Sequence, residues 1–354
     1  MTMKESTARV VTVDPLTDPS WRDLVARSEA SVFQSPQWLE VLARTYGFEP
    51  RATVLIDEGS RATAGIPYCI VDAPPRKRIA APPFSDYADP LVSDLEQWNA
   101  LIDPLLGERC RISIRCLRSD VPMADDRFTV IDHAKWHGLD LSPDAESLWA
   151  GLHSSARRAI RKAEKEGVVV REASDTAELR AFFELHLRTR KHKYGLLAQP
   201  YAFFEHIWEL FVEAGSGSIA CALMGDRVIA SVFFLDWQGT RYYKFSASDP
   251  AYAAARPNDL IIWNAVEDAK ANGLTLLDFG LSDWDQEGLV RYKRKYASDE
   301  RTISFLRHEP EATAPASEAD LGPTLGSLTE LLTDDSVPDE ITERAGELLY
   351  RFFA

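Results

Sequence analysis

In SPQWLEVLARTYG (35–47) the apolar residues Trp38, Leu39, Leu42 and Tyr46 recur at helical spacing behind a Ser-Pro start, which suits a helix N-terminus. RATVLI (51–56) and ATAGIPYCIV (62–71), separated by the turn residues DEGS, predict two strands, and PPRKRIAAPPF continues as a third extended segment. The same order returns later. PYAFFEHIWELFVEAG (200–215) predicts a helix stopped at Gly215. SIACALM (218–224), RVIASVFFLDW (227–237) and TRYYKFSAS (240–248) then predict three strands divided by Gly-Asp and Gln-Gly turns.

After each meander comes nearly the same phrase, DLEQWNALID at 94–103 and DLIIWNAVED at 259–268, 165 positions apart. Each phrase predicts a helix capped by its Asp (Asp94, Asp259), with a core tryptophan (Trp98, Trp263) beneath it. A strand follows each, RCRISIRCL (109–117) and LTLLDFGLS (274–282). Helix, three strands, helix, strand, written twice, predicts two similar α/β (α+β) domains, each a mixed, mostly antiparallel sheet flanked by helices.

Between the halves, Ser142-Pro143 predicts one helix start and Ser154 or Ser155 the cap of the next, which Gly167 stops before the strand VVVRE. DTAELRAFFELHLRTRKHKYG (175–195) predicts another amphipathic helix. Residues 309–327 have linker composition, and PDEITERAGELLYRFFA predicts a terminal helix packed through Ile341, Ala345, Leu348, Leu349 and Phe352. The expected boundaries are therefore 1–140, 141–308 and an acidic 309–354.

Charge refines this picture. The net charge of −15 argues against DNA as a partner, but residues 309–354 alone hold eleven Asp/Glu against two Arg. Basic residues cluster in ARRAIRKAEK (156–165), RTRKHK (188–193) and RYKRK (291–295), so a local phosphate-binding face stays compatible with an acidic chain. Cys69, Cys110, Cys116 and Cys221 form no CxxC pair and are expected as small buried apolar groups, with Cys110 and Cys116 facing one way. His133 and His137 have the i, i+4 spacing of a helical metal pair, but Gly138 and the absence of apolar periodicity predict a loop and no metal. There is no apolar run long enough to cross a membrane and no apolar signal core, so a cytoplasmic protein is expected.

Three stretches carry a family resemblance: SSARRAIRKAEKEGVVV (154–170), LHLRTRKHKYG (185–195) and LLDFGLSDWDQEGLVRYKRKYAS (276–298). Together with the repeat they resemble the Fem family of aminoacyltransferases, which build peptidoglycan cross-bridges, and its GNAT-superfamily relatives. The resemblance spans roughly residues 30–306 and implies two tandem GNAT-like domains, with the active site in the second. The third stretch is the most specific, similar to the family's Asp-x-Gly strand followed by Gly-Leu-x-x-(Phe/Tyr)-Lys. Two departures stand out. The glycine-rich loop that holds the CoA pyrophosphate in GNAT enzymes is replaced by SDPAYAAARPNDL (248–260), which has no glycine. The long helical hairpin of some Fem enzymes is also missing. Arg44 lies near a family basic position in poor register, so no role is carried over to it.

The resemblance implies an acyltransferase that forms an amide by moving an aminoacyl or acyl group onto a small-molecule amine. Such a donor is already activated, so the site needs positioning and oxyanion stabilisation and no covalent nucleophile. There is no GxSxG, and no cysteine has a nearby histidine. Lys293 falls at the family's lysine position, where a cation can neutralise an oxyanion or hold a donor phosphate. Tyr292 is a proton-donor candidate and Asp278 an amine-orienting one. Asp283, Asp285 and Glu287 form an acidic loop with candidates for the general base. Arg190 and Arg188, with Lys191, are candidate phosphate grips, and Arg158, Arg161 and Lys162 share one helix face that can follow a tRNA backbone. The expected donor is aminoacyl-tRNA or a carrier-bound acyl group, with no tightly bound cofactor. The alternatives are an acyl-CoA-dependent GNAT N-acetyltransferase and a non-catalytic tandem-GNAT binding protein.

Overall fold

The computed structural model describes residues 8–72, 77–310 and 321–354, with the side chain of Leu321 left out. The chain forms two compact units, one running to Ala134 and including Thr302–Leu321, the other comprising Lys135–Arg301 and Gly322–Phe353. It passes from one to the other within a strand, β6, and returns within another, β12.

The first unit contains β1 (Arg9–Val13), α1 (Pro19–Arg27), α2 (Pro36–Tyr46), β2 (Glu49–Ile56), β3 (Ala62–Val71), β4 (Arg78–Ala80), α3 (Leu95–Leu106), β5 (Arg111–Cys116) and the start of β6 (Thr129–Asp140). Strands β1 to β4 pair antiparallel in succession, and β5 joins β4 in parallel. Of the third extended segment, only Arg78–Ala80 is strand, and residues 73–76 lie outside the described residues. Ser35 caps α2 and Asp94 caps α3, each side chain accepting a backbone N–H of the first turn. Trp98 is fully buried and its indole N–H donates to Asp125 at 2.7 Å. β1 and α1 were not foreseen.

In the second unit, β6 leads to α4 (Ala145–Gly151), α5 (Ser154–Lys165), β7 (Val169–Glu172), α6 (Thr176–Arg188), α7 (Tyr201–Ile207), β8 (Gly217–Met224), β9 (Arg227–Trp237) and β10 (Thr240–Ser248). There follow α8 (Pro257–Ala271), β11 (Leu276–Asp283), α9 (Glu287–Lys293), β12 (Asp299–His308), α10 (Leu321–Leu332) and α11 (Asp339–Leu349). The meander β8–β9–β10 is antiparallel and β11 joins β10 in parallel, the arrangement of β4 and β5 again. Helix α8 is buried nearly all round, from Leu260 to Ala269, as a helix at the centre of a core must be. Its Trp263 packs edge-on against Trp149 at 4.8 Å between ring centroids. Burying each such side chain stabilises the fold by about 1.5–3 kcal/mol.

Several local expectations change. Asp259 is not the cap of α8; that place belongs to Arg256, in the left-handed region at φ 61°, and Asp259 sits buried within the first turn. Asp144 caps α4 in place of Ser142, and the His153 side chain caps α5 in place of a serine. Both α6 and α7 end in a π-helical turn, at Thr189–Lys193 and Trp208–Val212. The supposed linker is already helical from Leu321, and residues 311–320 lie outside the described residues. Helix α11 does pack, but through Thr342, Ala345 and Gly346, leaving Ile341 and Leu348 exposed. The reason is Gly346, whose missing side chain admits the Ala198 carbonyl, so the backbone itself is the contact. Cys69, Cys116 and Cys221 are buried, whereas Cys110 is only half-buried.

A candidate active site at the end of β11

Strand β11 carries LLDFGLSD through the core of the second unit. Gly280 breaks its regularity at φ 65°, a left-handed conformation glycine adopts without cost. The carboxylate of Asp278, almost completely buried, accepts the Gly280 N–H at 2.6 Å and holds the kink. Helix α9 then returns, and its last residue, Lys293, donates its ammonium to the carbonyls of Gly280 at 3.1 Å and Leu281 at 2.7 Å. Lys293 is only 4% exposed, so a positive charge is fixed at the C-terminal end of β11 by backbone oxygens. The structure therefore brings together Lys293 and Asp278, two of the three expected catalytic groups.

Tyr292 faces inward. Among the described residues its buried hydroxyl finds no hydrogen bond of normal geometry, and burial holds its pKa well above the usual tyrosine value, which disfavours the phenolate. Its ring meets that of Tyr296, edge-on at 5.6 Å. The Tyr296 hydroxyl donates to the buried Asp259. Burial raises the pKa of Asp259, opposed by the Tyr296 hydrogen bond. Tyr243 completes this pocket of phenols, its pKa pushed up by burial to about 12.

Beside it lies a group not foreseen from sequence. His133 and His137 lie on strand β6, not in a loop, and alternation puts Lys135 and His137 on one face. His137 is fully buried, with Nε2 3.0 Å from Glu300 Oε2. Glu300 also accepts from Lys135 at 2.6 Å and from Arg294 at 2.6 and 2.8 Å. These bonds, led by that from Arg294, hold the Glu300 carboxyl well below the usual range. Among the described residues no cluster of His, Cys, Asp and Glu has the makings of a metal site. The Lys135 ammonium lies 4.7 Å from the ring of Trp284, which stands 54% exposed in the loop after β11. The loop carboxylates Asp283, Asp285 and Glu287 are exposed, and Asp283 accepts from Gln286.

The basic groups divide. Helix α5 buries Ala156, Ile160 and Ala163 and exposes Arg158, Arg161 and Lys162. Its start is tied to the end of α9, because the His153 N–H donates to the Lys295 carbonyl at 3.0 Å. Arg158 reaches Ser154, and Arg161 lies over the Trp149 ring. The cluster RTRKHK is used differently from expectation. Lys191 is buried and neutralised by Asp339 at 2.9 Å, so it is no phosphate grip. Arg190 donates to the Leu197 carbonyl, and Arg188 pairs loosely with the same Asp339 at 3.8 Å. The acidic C-terminal segment thus takes up part of the charge that sequence alone leaves open.

Between β10 and α8, where a dinucleotide-like phosphate would need open backbone amides, residues Pro250–Ala255 form a 3-10 turn, followed by left-handed Arg256 and by Pro257. Proline offers no N–H, and the Asp259 carboxylate already occupies the first turn of α8.

Residues 151–294 match the family profile described as the acetyltransferase (GNAT) domain, which contains Lys293, Tyr292 and Asp278. An acyltransferase domain therefore makes up this part of the chain. Among solved structures, FemX superposes with a TM-score of 0.64 at 15% identity, covering 84% of this chain and 96% of FemX. L-PGS from Bacillus licheniformis gives 0.55 at 12% identity, covering 91% and 97%. A tandem GNAT protein from the clavulanic acid biosynthesis pathway gives 0.54 at 11% identity, covering 87% and 100%. These likenesses bear out the expected fold of two tandem GNAT-like domains. No curated protein matches the chain. No helix among the described residues is long and apolar enough to cross a membrane.

Proposed function

We propose that this acyltransferase domain forms an amide, moving an aminoacyl or carrier-bound acyl group onto the amine of a small molecule in the cytoplasm. The observation that carries the reading is the Lys293 ammonium, held by the Gly280 and Leu281 carbonyls at the end of β11. A fixed cation there meets the oxyanion as the amine attacks, and because it is already oriented, little reorganisation opposes its action. Asp278 acts one step back, holding the kink that sets those carbonyls. The exposed cations Arg158, Arg161 and Lys162 on α5, tied to α9 through His153, are the proposed contact for a phosphate-bearing donor such as charged tRNA. Arg188 and Arg190 are supporting candidates for the same phosphates.

A second reading is favoured by the GNAT family match: acyl-CoA as the donor. Against it stands the glycine-free segment before α8, with Pro257 and Asp259 where pyrophosphate would bind.

Thermal unfolding with acetyl-CoA, with total charged tRNA and with neither, at several salt concentrations, separates the donors, since a ligand bound by the folded chain alone raises the melting temperature. A salt-sensitive rise with charged tRNA is the expected result. A rise with acetyl-CoA overturns the donor assignment, and activity untouched by Lys293→Ala overturns the catalytic reading in favour of a binding protein.

A further inference from the structure

Trp284 opens the loop that follows β11, three residues beyond Leu281. The Leu281 carbonyl takes the Lys293 ammonium at 2.7 Å. Chain length alone therefore keeps the Trp284 Cα within about 11 Å of the Leu281 Cα. Side chains place the ring from the other direction. Arg294, next to Lys293, donates to Glu300 at 2.6 and 2.8 Å. Glu300 accepts from Lys135 at 2.6 Å, and the Lys135 ammonium lies 4.7 Å from the centre of the Trp284 ring. The indole is thus set against a fixed cation, yet the residue stays 54% exposed.

A single exposed apolar side chain is ordinary on a protein surface. This one presents a held, flat π surface beside the cation that is to meet the oxyanion, and such a surface stacks on another flat ring. The charges around it decide which kind. The loop and the start of α9 carry the exposed carboxylates Asp283, Asp285 and Glu287, which repel phosphate. A neutral base is favoured there, with its phosphates elsewhere. The exposed cations Arg158, Arg161 and Lys162 lie on α5, which the His153 N–H ties to the end of α9. In a charged tRNA the ester sits on the ribose of the terminal adenosine, so base and reacting carbonyl share one sugar, and the phosphate leaves from its far side. In acyl-CoA the pantetheine arm and a pyrophosphate separate adenine from the thioester. A ring this near Lys293 is in reach of adenine in the first donor and out of reach of it in an extended acyl-CoA.

We infer that Trp284 is the base platform of the donor: the terminal adenine of a charged tRNA stacks on its ring while the ester carbonyl faces Lys293. The inference rests on the acyltransferase reading and its tRNA donor.

The probe is 3′-aminoacylamino-3′-deoxyadenosine, a terminal nucleoside whose amide resists transfer, titrated calorimetrically against the full chain. Trp284→Ala is expected to weaken its binding about 5- to 150-fold, the loss of one stacked base, and Trp284→Phe, which keeps a ring, to retain most of it. Coenzyme A is expected to show no such dependence. Equal affinity of Trp284→Ala and the wild type for the nucleoside overturns the inference, as does a loss shown by coenzyme A instead. If the wild type does not bind the nucleoside while charged tRNA still raises its melting temperature, the inference falls and the donor assignment stands. If neither ligand binds, the donor assignment falls with it. With charged tRNA as donor, Trp284→Ala is expected to raise KM more than it lowers kcat, because stacking holds ground state and transition state alike. A loss confined to kcat also overturns the inference.

Discussion

Tyr296 gives its only hydroxyl hydrogen to the carboxylate of Asp259, and each of the two residues is just 3% exposed. The bond explains how an acidic group is tolerated in the first buried turn of α8. Burial nevertheless raises the Asp259 pKa, so the folded state binds that proton more tightly than the unfolded chain does. Its contribution to stability is greatest below the ordinary carboxylate value of about 4 and is lost as pH rises through the raised one. Asp259→Asn keeps an acceptor for Tyr296 and removes the charge. It should gain on the wild type as the pH is raised from 4 to 7 in urea unfolding; a difference that does not change with pH would contradict the assignment.

Glu300 presents the opposite sign. Its folded-state pKa is depressed, so the stability it contributes is present above the unfolded carboxylate value of about 4.3 and disappears as pH falls through the depressed value. Glu300→Gln should cost about 1.5–3 kcal/mol at pH 7, the range for hydrogen bonds to charged groups. The gap should narrow at pH 3. Paired urea titrations at the two pH values check both the size and the narrowing.

At Gly346, an added Cβ would stand 2.4 Å from the Ala198 carbonyl oxygen. The obstacle is backbone and cannot rotate away. Gly346→Ala should destabilise the second unit by about 1–3 kcal/mol, the usual cost of overpacking. Hydrogen exchange along α11 should rise first, and a variant that melts like the wild type would show that the helix shifts freely.

Lys293 carries the functional proposal. Lys293→Ala should lower kcat by about 100- to 1000-fold, the usual loss when one oxyanion-stabilising donor is removed. Lys293→Gln retains an N–H for the Gly280 and Leu281 carbonyls but not the charge. It should fold as the wild type does and share the loss of kcat, with little change in KM. Full activity in the glutamine variant would assign Lys293 to structure alone.

Much of this architecture was legible because it rests on local signals. The repeated phrase marked equivalent helices, and Trp98 and Trp263 are indeed buried in both. Strand-like runs divided by DEGS in the first half, and by Gly-Asp and Gln-Gly in the second, outlined the two meanders. What escaped depends on contacts distant in sequence. Asp259 looks like a cap in isolation, and only Tyr296, 37 residues later, explains its burial. The partner of His137 lies 163 residues away, so His133 and His137 were read as loop residues when the strand period was the relevant one. Lys191 resembles any other cation of a basic run until Asp339 is seen to neutralise it. Side chains whose meaning lies in one long-range partner are those a linear reading cannot assign.

The order in which the first unit is assembled has a consequence for synthesis. Its strand β5 pairs along Ile112–Cys116 with Ser304–His308 of β12, and those residues follow the entire second unit in the sequence. On the ribosome the first unit therefore emerges with the backbone of β5 open along one side, and it must wait for about ten to forty seconds of further translation, at 5–20 residues per second, before its own last strand exists. An open strand edge invites pairing with any other chain. The nascent protein is thus most exposed to misassembly after its first half is complete, and a chaperone that shields β5 during that interval would act where the need is greatest.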